Sequence, residues 1–234
     1  MPQGKQVQAM FSGIAGKYDL LNHVLSLGTD FYWWNRMARL SGAGPGRRFL
    51  DVAAGTGDSS LALARRGAEV ISSDFTPAML KLGPEKFRRR AQQHRIWASV
   101  GADAQRLPFA TGSFDGLTIC YGIRNVEDRP RAYAEFLRVL KPQGQLTILE
   151  FSRPRQAWLR ALYNTYSLRI LPRIGGWISG APEAYTYLPE SIRAFPDQPA
   201  LAAELKAAGF GAVAWTDLTG GIVALHTARK PPVL

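Results

Sequence analysis

The chain has 234 residues, 46% of them hydrophobic and 20% charged, an ordinary balance for a soluble globular protein built around one well-cored α/β domain. Its 29 Lys and Arg against 18 Asp and Glu give a formal charge of +11, which calls for an anionic partner, nucleic acid and anionic lipid both qualifying. Cys120 is the only cysteine, which excludes an internal disulfide and thiol-rich metal sites, and the scattered His23, His94 and His226 suggest no metal site either.

No apolar run reaches the roughly 18 residues that span a bilayer, and residues 1–13 lack the charged start and apolar core of a signal peptide. A cytoplasmic protein is expected. Residues 5–40 read as a helical arm, with Val7, Met10, Phe11, Ile14 and Tyr18 at helical spacing and Asp30 as an N-cap for a second helix carrying Trp33, Trp34, Met37 and Leu40. The Gly- and Pro-rich stretch from Ser41 to Arg48 links it to the core.

From Phe49 onward strand and helix patterns alternate, the mark of a parallel sheet with crossover helices. Strands are predicted near 49–52, 69–73, 97–102, 114–120, 145–151, 212–217 and 221–229, with helices near 59–66, 76–91, 131–140 and 200–208. The last two strands are joined closely enough for a hairpin, so the expected fold is a seven-stranded, mostly parallel Rossmann-like sheet ending in an antiparallel hairpin, the class I methyltransferase arrangement. The whole chain reads as a single domain: arm 5–40, cofactor-binding core 49–151, insertion 152–199, and C-terminal helix and hairpin 200–230. The insertion is too long for a plain loop. It interleaves Trp158, Leu162, Tyr166, Leu168, Ile170, Leu171, Ile174, Trp177 and Ile178 with Arg155, Arg160, Arg169 and Arg173, which suits a helical lid facing an apolar substrate or an anionic membrane surface.

The run Phe49-Leu50-Asp51-Val52-Ala53-Ala54-Gly55-Thr56-Gly57-Asp58 passes from buried strand through a small-residue turn into a helix. Gly55 and Gly57 let the backbone approach a ligand closely. Such turns also serve dinucleotide-binding domains, or merely turn the chain. Phosphate chemistry is missing: there is no G-x-G-x-x-G and no Walker Gly-Lys-Ser/Thr, and acidic Asp51 would repel a pyrophosphate. A cationic, phosphate-free cofactor fits better, and S-adenosylmethionine is one. Ligands of open α/β sheets bind at the carboxyl ends of strands. There Asp51, Gly55, Thr56 and Gly57 would face its methionine end, Asp74 its ribose hydroxyls, Asp103 and Ala104 its adenine, and Cys120 its sulfonium.

The chain resembles the ubiquinone/menaquinone biosynthesis C-methyltransferase family from about Val7 to Lys230. The motifs that carry this are Tyr18-Asp19-Leu20-Leu21-Asn22 with Leu25-Ser26 and Trp33, then Gly122-Ile123-Arg124-Asn125-Val126, and Arg138-Val139-Leu140-Lys141-Pro142-Gln143-Gly144 leading to Glu150-Phe151-Ser152. Leu188-Pro189-Glu190-Ser191-Ile192 and Leu218-Thr219-Gly220-Gly221-Ile222-Val223-Ala224-Leu225-His226 complete them. Asp30, Gln143 and Cys120 depart from the usual His, Gly and Ser. The resemblance implies cofactor contacts at Thr56, Asp74, Asp103 and Ala104, and methylation of a ring carbon of a prenylated quinol: demethylmenaquinol, the benzoquinol precursor of ubiquinone, or a phytyl naphthoquinol. Demethylmenaquinol in menaquinone synthesis is the first expectation.

An ionised quinol donates electrons far better than a neutral one, so the site needs a base or fixed electrostatic help. Arg124 would stabilise the oxyanion directly or through water, Asn125 would orient the quinol oxygen, and Tyr121 and Tyr18 would shape or hydrogen-bond the ring. His226 reads as structural. RNA methylation and a non-catalytic scaffold are the rival readings. No RNA-binding module stands beside the core, and a degenerate scaffold would not keep Tyr18, Asp19, Arg124 and Asn125. No nucleic-acid partner is therefore expected, and the oligomeric state is open.

Overall fold

A computed structural model describes residues 8–9, 12–13, 15–166 and 182–232, with the side chains of Lys17, Tyr18, Leu21 and residues 182–186 outside that description. The helical stripe through Val7, Met10, Phe11 and Ile14, the side chain of Tyr18, and the part of the insertion from Leu168 to Ile178 lie outside the described residues. Seven strands, β1 (Arg48–Val52), β2 (Glu69–Asp74), β3 (Ile96–Gly101), β4 (Phe114–Cys120), β5 (Leu140–Phe151), β6 (Gly211–Leu218) and β7 (Val223–Arg229), form one sheet. Its order is β3-β2-β1-β4-β5-β7-β6. All neighbours run parallel except β7, which pairs antiparallel with both β5 and β6.

The helices are α1 (Tyr18–Leu25), α2 (Thr29–Leu40), α3 (Asp58–Arg65), α4 (Pro77–Leu80), α5 (Gly83–Arg89), α6 (Arg129–Val139), α7 (Ala157–Thr165), α8 (Pro182–Ala194) and α9 (Gln198–Ala207). Side chains alternate across the strands, so each face of the sheet buries its own core. On one, Phe49, Val70, Cys120, Leu149 and Leu225 pack with Trp33, Trp34 and Met37 of α2 and Leu61 and Leu63 of α3. On the other, Leu50, Leu117, Ile119, Leu146 and Ile148 pack with Tyr133 and Phe136 of α6 and Leu201 and Leu205 of α9. The helices α6 and α9 start alike: Asp128 and Asp197 accept from the backbone N–H three residues on, and each helix carries a proline in its first turn.

Two expectations need correction. The helix predicted over 76–91 is two short helices, because Pro84 lacks an N–H and its ring opposes the carbonyl of Leu80. Asp30 is not the N-cap of α2: Gly28 holds that position in the left-handed region, and Asp30 sits buried in the first turn with its carboxylate 2.5 Å from His23 Nδ1.

In register on neighbouring strands, the ring of Phe49 lies over Gly116, where a Cβ would come within 2.2 Å of it. Gly116→Ala is therefore expected to lower stability by about 1–3 kcal/mol through overpacking, read as a fall in the urea midpoint without a change in slope.

Candidate functional site

β1 and β4 lie side by side but lead to opposite wings of the sheet, so a crevice opens beyond their carboxyl ends. The loop after β1 alternates into the left-handed region at Ala53, Gly55 and Gly57, with φ of 52°, 58° and 94°, and the residue after β4, Tyr121, does the same at 57°. Ala53 and Tyr121 hold this conformation against the preference of a Cβ-bearing residue. The two loops touch: a Cβ on Gly122 would sit 2.4 Å from that of Ala53.

Asp51 is wholly buried. Its Oδ2 accepts from Ser59 and Ser60 Oγ at 2.6 Å each and its Oδ1 from Thr118 Oγ1 at 2.8 Å. It thus faces α3 and β4 rather than the crevice. Burial pushes its carboxyl up to about 6 despite three hydroxyl donors. Asp74 does reach the crevice loop: Oδ2 accepts from Gly55 N at 2.8 Å and Oδ1 from Thr76 N at 2.7 Å. Each oxygen keeps a further lone pair, which is what two adjacent ribose hydroxyls need. Burial raises this carboxyl as well, with the two N–H donors opposing.

Asp103 follows β3 with Oδ1 accepting from Gln105 N and Nε2 at 2.9 and 3.1 Å, and Ala104 is partly buried at the edge of the core. Thr56 turns toward the arm, donating to Asp19 at 2.5 Å and accepting from Lys86 at 2.9 Å. Lys86 also pairs with Asp19 at 2.6 Å and Asp58 at 3.0 Å. One ammonium group therefore ties α1 and α5 to the start of α3. Cys120 is buried among the apolar residues under α2, its thiol pushed well up by burial, with the charges of Asp51 and Glu150 adding.

The other half of the crevice follows β4. Arg124, 5% exposed, sits in a 3-10 turn (Ile123–Asn125) and donates through Nη1 to the Tyr121 carbonyl at 2.5 Å and to Glu150 Oε1 at 2.7 Å. Its Nε is buried with no partner among the described residues. Burial pushes the Glu150 carboxyl up, and the guanidinium pulls it back. Asn125 Oδ1 accepts from Tyr187 of α8 at 2.8 Å, and its amide N–H groups meet no acceptor among the described residues. Tyr163 of α7 is half-buried, near enough to feel both Arg124 and Glu150, and its loss of solvent pushes the hydroxyl up to about 12. Phe151 lies 5.6 Å under the guanidinium and 4.7 Å from the Tyr121 ring, with Trp33 edge-on to both.

Among the candidates, Gly55, Gly57, Asp74, Asp103, Ala104, Tyr121, Arg124 and Asn125 therefore stand around the crevice. Asp51 and Cys120 lie behind it, and Thr56 is held by the arm. Glu150, Tyr163, Tyr187 and Lys86 were not among the candidate site residues. Glu150 stood in the motif Glu150-Phe151-Ser152 and as the single carboxylate within the segment Leu146–Phe151, without being given a role. His226 bonds the Gln198 carbonyl at 3.0 Å and stacks on Trp215, its pKa lowered by burial.

The sheet order with its antiparallel β7, and a crevice carrying strand-end carboxylates and no phosphate-binding motif, define the S-adenosylmethionine-dependent methyltransferase fold. The sequence pattern of the ubiE/COQ5 methyltransferase family matches residues 2–230, and the chain belongs to that family. It is 46% identical over 228 residues to a demethylmenaquinone methyltransferase of Mycolicibacterium paratuberculosis, covering 97% of this chain and 95% of that one. A protein of the same name from Streptomyces avermitilis is 45% identical over 229 residues, covering 97% and 96%. Among solved structures, the [4+2]-cyclase SpnF superposes with a TM-score of 0.74 at 20% identity over 99% of this chain and 98% of that one. A methyltransferase from Thermotoga maritima, described as a possible histamine N-methyltransferase, does so with 0.65 at 16% over 95% and 98%. These two share the fold alone.

Because the folded state raises the Asp51 pKa, its contribution to stability is complete below the unfolded value near 4 and is lost as pH rises through about 6. Asp51→Asn removes this dependence. Between pH 4 and pH 7 the stability of the variant relative to the native chain is expected to improve by about 2 kcal/mol, measured by urea unfolding at both pH values.

Proposed function

We propose that the chain is one catalytic unit that methylates a ring carbon of a prenylated quinol, converting demethylmenaquinol to menaquinol with S-adenosylmethionine as donor, at the cytoplasmic face of a membrane with anionic lipid. The single observation that carries this reading is the Arg124–Glu150 pair, whose buried Nε has no partner among the described residues, set beside Asn125 in an aromatic crevice. A buried donor without a partner is costly and marks a place for an acceptor. The relatives named demethylmenaquinone methyltransferase, alike over nearly the whole chain, support the same substrate class. Arm 5–40, core 49–151, insertion 152–199 and C-terminal part 200–230 all contribute to this one unit.

The donor set suits S-adenosylmethionine. Asp74 keeps acceptors for the ribose hydroxyls, Asp103 and Ala104 stand at the adenine end, and the Gly55–Gly57 turn offers close backbone approach. Thr56, now bonded to Asp19 and Lys86, would need to share its hydroxyl to reach the methionine end. When bound, the cofactor supplies an electrophilic methyl group on a positively charged sulfur.

The residues of this chain act on the quinol. With a phenol-like pKa near 10, ionising a quinol hydroxyl at pH 7 costs about 4 kcal/mol. Since Glu150 neutralises Arg124, the site offers donors rather than net charge: the guanidinium Nε and the Asn125 amide N–H groups fix the oxygen as it becomes anionic. Glu150 holds the fork of Arg124, and Tyr187 holds the amide of Asn125. Trp33, Tyr121 and Phe151 exclude water from the ring. Arg124 itself keeps its proton and is no base.

Labelled methyl transfer to chemically reduced demethylmenaquinone, beside the benzoquinol precursor of ubiquinone, is the test. Product from the naphthoquinol is expected, and product from the benzoquinol alone would overturn the assignment. Arg124→Lys retains the charge balance, whereas Arg124→Ala would strand Glu150 as a buried lone charge. The lysine variant is expected to lose at least tenfold in kcat with cofactor affinity unchanged, as steady-state kinetics and calorimetry would read. Tyr187→Phe is expected to lose several-fold in kcat on its own and nothing more when added to Asn125→Ala, since its effect passes through that amide.

A further inference from the structure

The ammonium group of Lys86 is shared among oxygens from three parts of the chain: Asp19 Oδ2 of α1 at 2.6 Å, Thr56 Oγ1 of the loop after β1 at 2.9 Å, and Asp58 Oδ2 of α3 at 3.0 Å. Its neighbour in sequence fixes its place. The ring of Phe87 fills the space that a Cβ on Gly57 would need, so α5 packs directly on the Gly55–Gly57 turn and sets Lys86 against Thr56. The carboxylate of Asp19 bridges these two residues, one oxygen taking the Thr56 hydroxyl at 2.5 Å and the other the Lys86 ammonium. Two donors side by side, one of them charged and each meeting a different oxygen of the same group, make a seat for a carboxylate.

Asp19 occupies that seat loosely. Its side chain is 34% exposed, against 18% for Lys86 and 19% for Asp58, and Asp58 already supplies Lys86 with a full counter-charge. Burial raises the Asp58 carboxyl, Lys86 lowers it, and the charge of Asp19 raises it again. Two carboxylates therefore oppose each other across one ammonium group. Asp19, Asp58 and Lys86 also line a cavity of about 110 Å³ among α1, α2, α3 and α5, with His23, Arg65 and Arg90 in its wall. An Asp19 side chain turned away from Lys86 would meet other cations there. A plain ionic tether between α1 and α5 would need neither the second carboxylate nor the hydroxyl of the loop.

We propose that Lys86, with Thr56, is the seat for the methionine carboxylate of the cofactor, and that Asp19 is a stand-in which the cofactor displaces. The proposal rests on S-adenosylmethionine being the cofactor. What the seat recognises is an amino-acid carboxylate carried on a nucleoside, so a nucleoside ligand without that carboxylate gains nothing from Lys86.

Calorimetry on the full chain tests this with S-adenosylhomocysteine and its decarboxylated analogue, which keeps the nucleoside and the amino group. The native chain should bind the intact ligand at least tenfold more tightly than the analogue. In Lys86→Met that preference should fall below threefold. In Asp19→Asn, where the stand-in has lost its charge, it should widen at least threefold. Each preference is a ratio within one protein, so a partly unfolded variant lowers both affinities alike and leaves the ratio intact. If Lys86→Met does not fold, the ratio in Asp19→Asn decides. A native-sized preference in Lys86→Met would overturn the proposal and leave Lys86 a tether between helices. No widening in Asp19→Asn would overturn it too, as would equal binding of the two ligands by the native chain. Each of these results leaves the cofactor reading standing, whereas a native chain that binds neither ligand would sink that reading and the proposal together.

Discussion

The carboxylate of Asp51 is the fixed point on which the crevice is built. It ends β1, takes two hydroxyls from the first turn of α3 and one from β4, and so locks the three elements that meet where the sheet divides. Burying it costs enough to push its pKa to about 6, a cost the three hydroxyl donors only partly offset. In return, the loop between β1 and α3 has both ends anchored and holds left-handed conformations at Ala53, Gly55 and Gly57. Asp74 then secures that loop from the neighbouring strand. Two carboxylates on adjacent strand ends thus divide the labour: one faces inward and sets the frame, the other faces the crevice.

The second half of the site has an independent support. Arg124 and Glu150 come from the loop after β4 and from β5, and their pairing holds the guanidinium against the ring of Phe151. Helix α8 of the insertion reaches this half, its Tyr187 hydroxyl donating to Asn125. The β1–α3 half of the crevice is therefore built by the core, while the Arg124 half is built jointly by the core and the insertion.

Much of this was legible in the sequence, for reasons that differ by element. Central parallel strands are buried on both faces, so Phe49–Val52, Phe114–Cys120 and Gln145–Phe151 read as apolar runs with little ambiguity. Strand-end residues such as Asp74, Asp103 and Arg124 could be placed because the fold dictates where ligands approach. What periodicity cannot carry is side-chain direction. Asp51 stands opposite Ser72, two residues short of Asp74 on the neighbouring strand, and that offset leaves Asp51 among three hydroxyls inside and Asp74 on two backbone N–H groups at the crevice. Thr56 is drawn outward by Lys86 and Asp19, partners 30 and 37 residues away. The break at Pro84 was visible in the residue itself but was outweighed by the helical pattern around it. Tyr187 could not be tied to Asn125, 62 residues distant, without knowing how the insertion returns.

The buried pairing of Arg124 with Glu150 also constrains how this sequence can drift. Replacing either residue alone by an uncharged one leaves a full charge inside the protein with nothing opposite, at a cost of about 3–5 kcal/mol, comparable with much of a domain's net stability. Exchange for an uncharged pair would be tolerated by the fold. The route to such a pair passes through an intermediate with one partner missing, and that intermediate is the least stable of the set. The two positions are therefore expected to vary together or not at all during divergence, each acting as the other's lock.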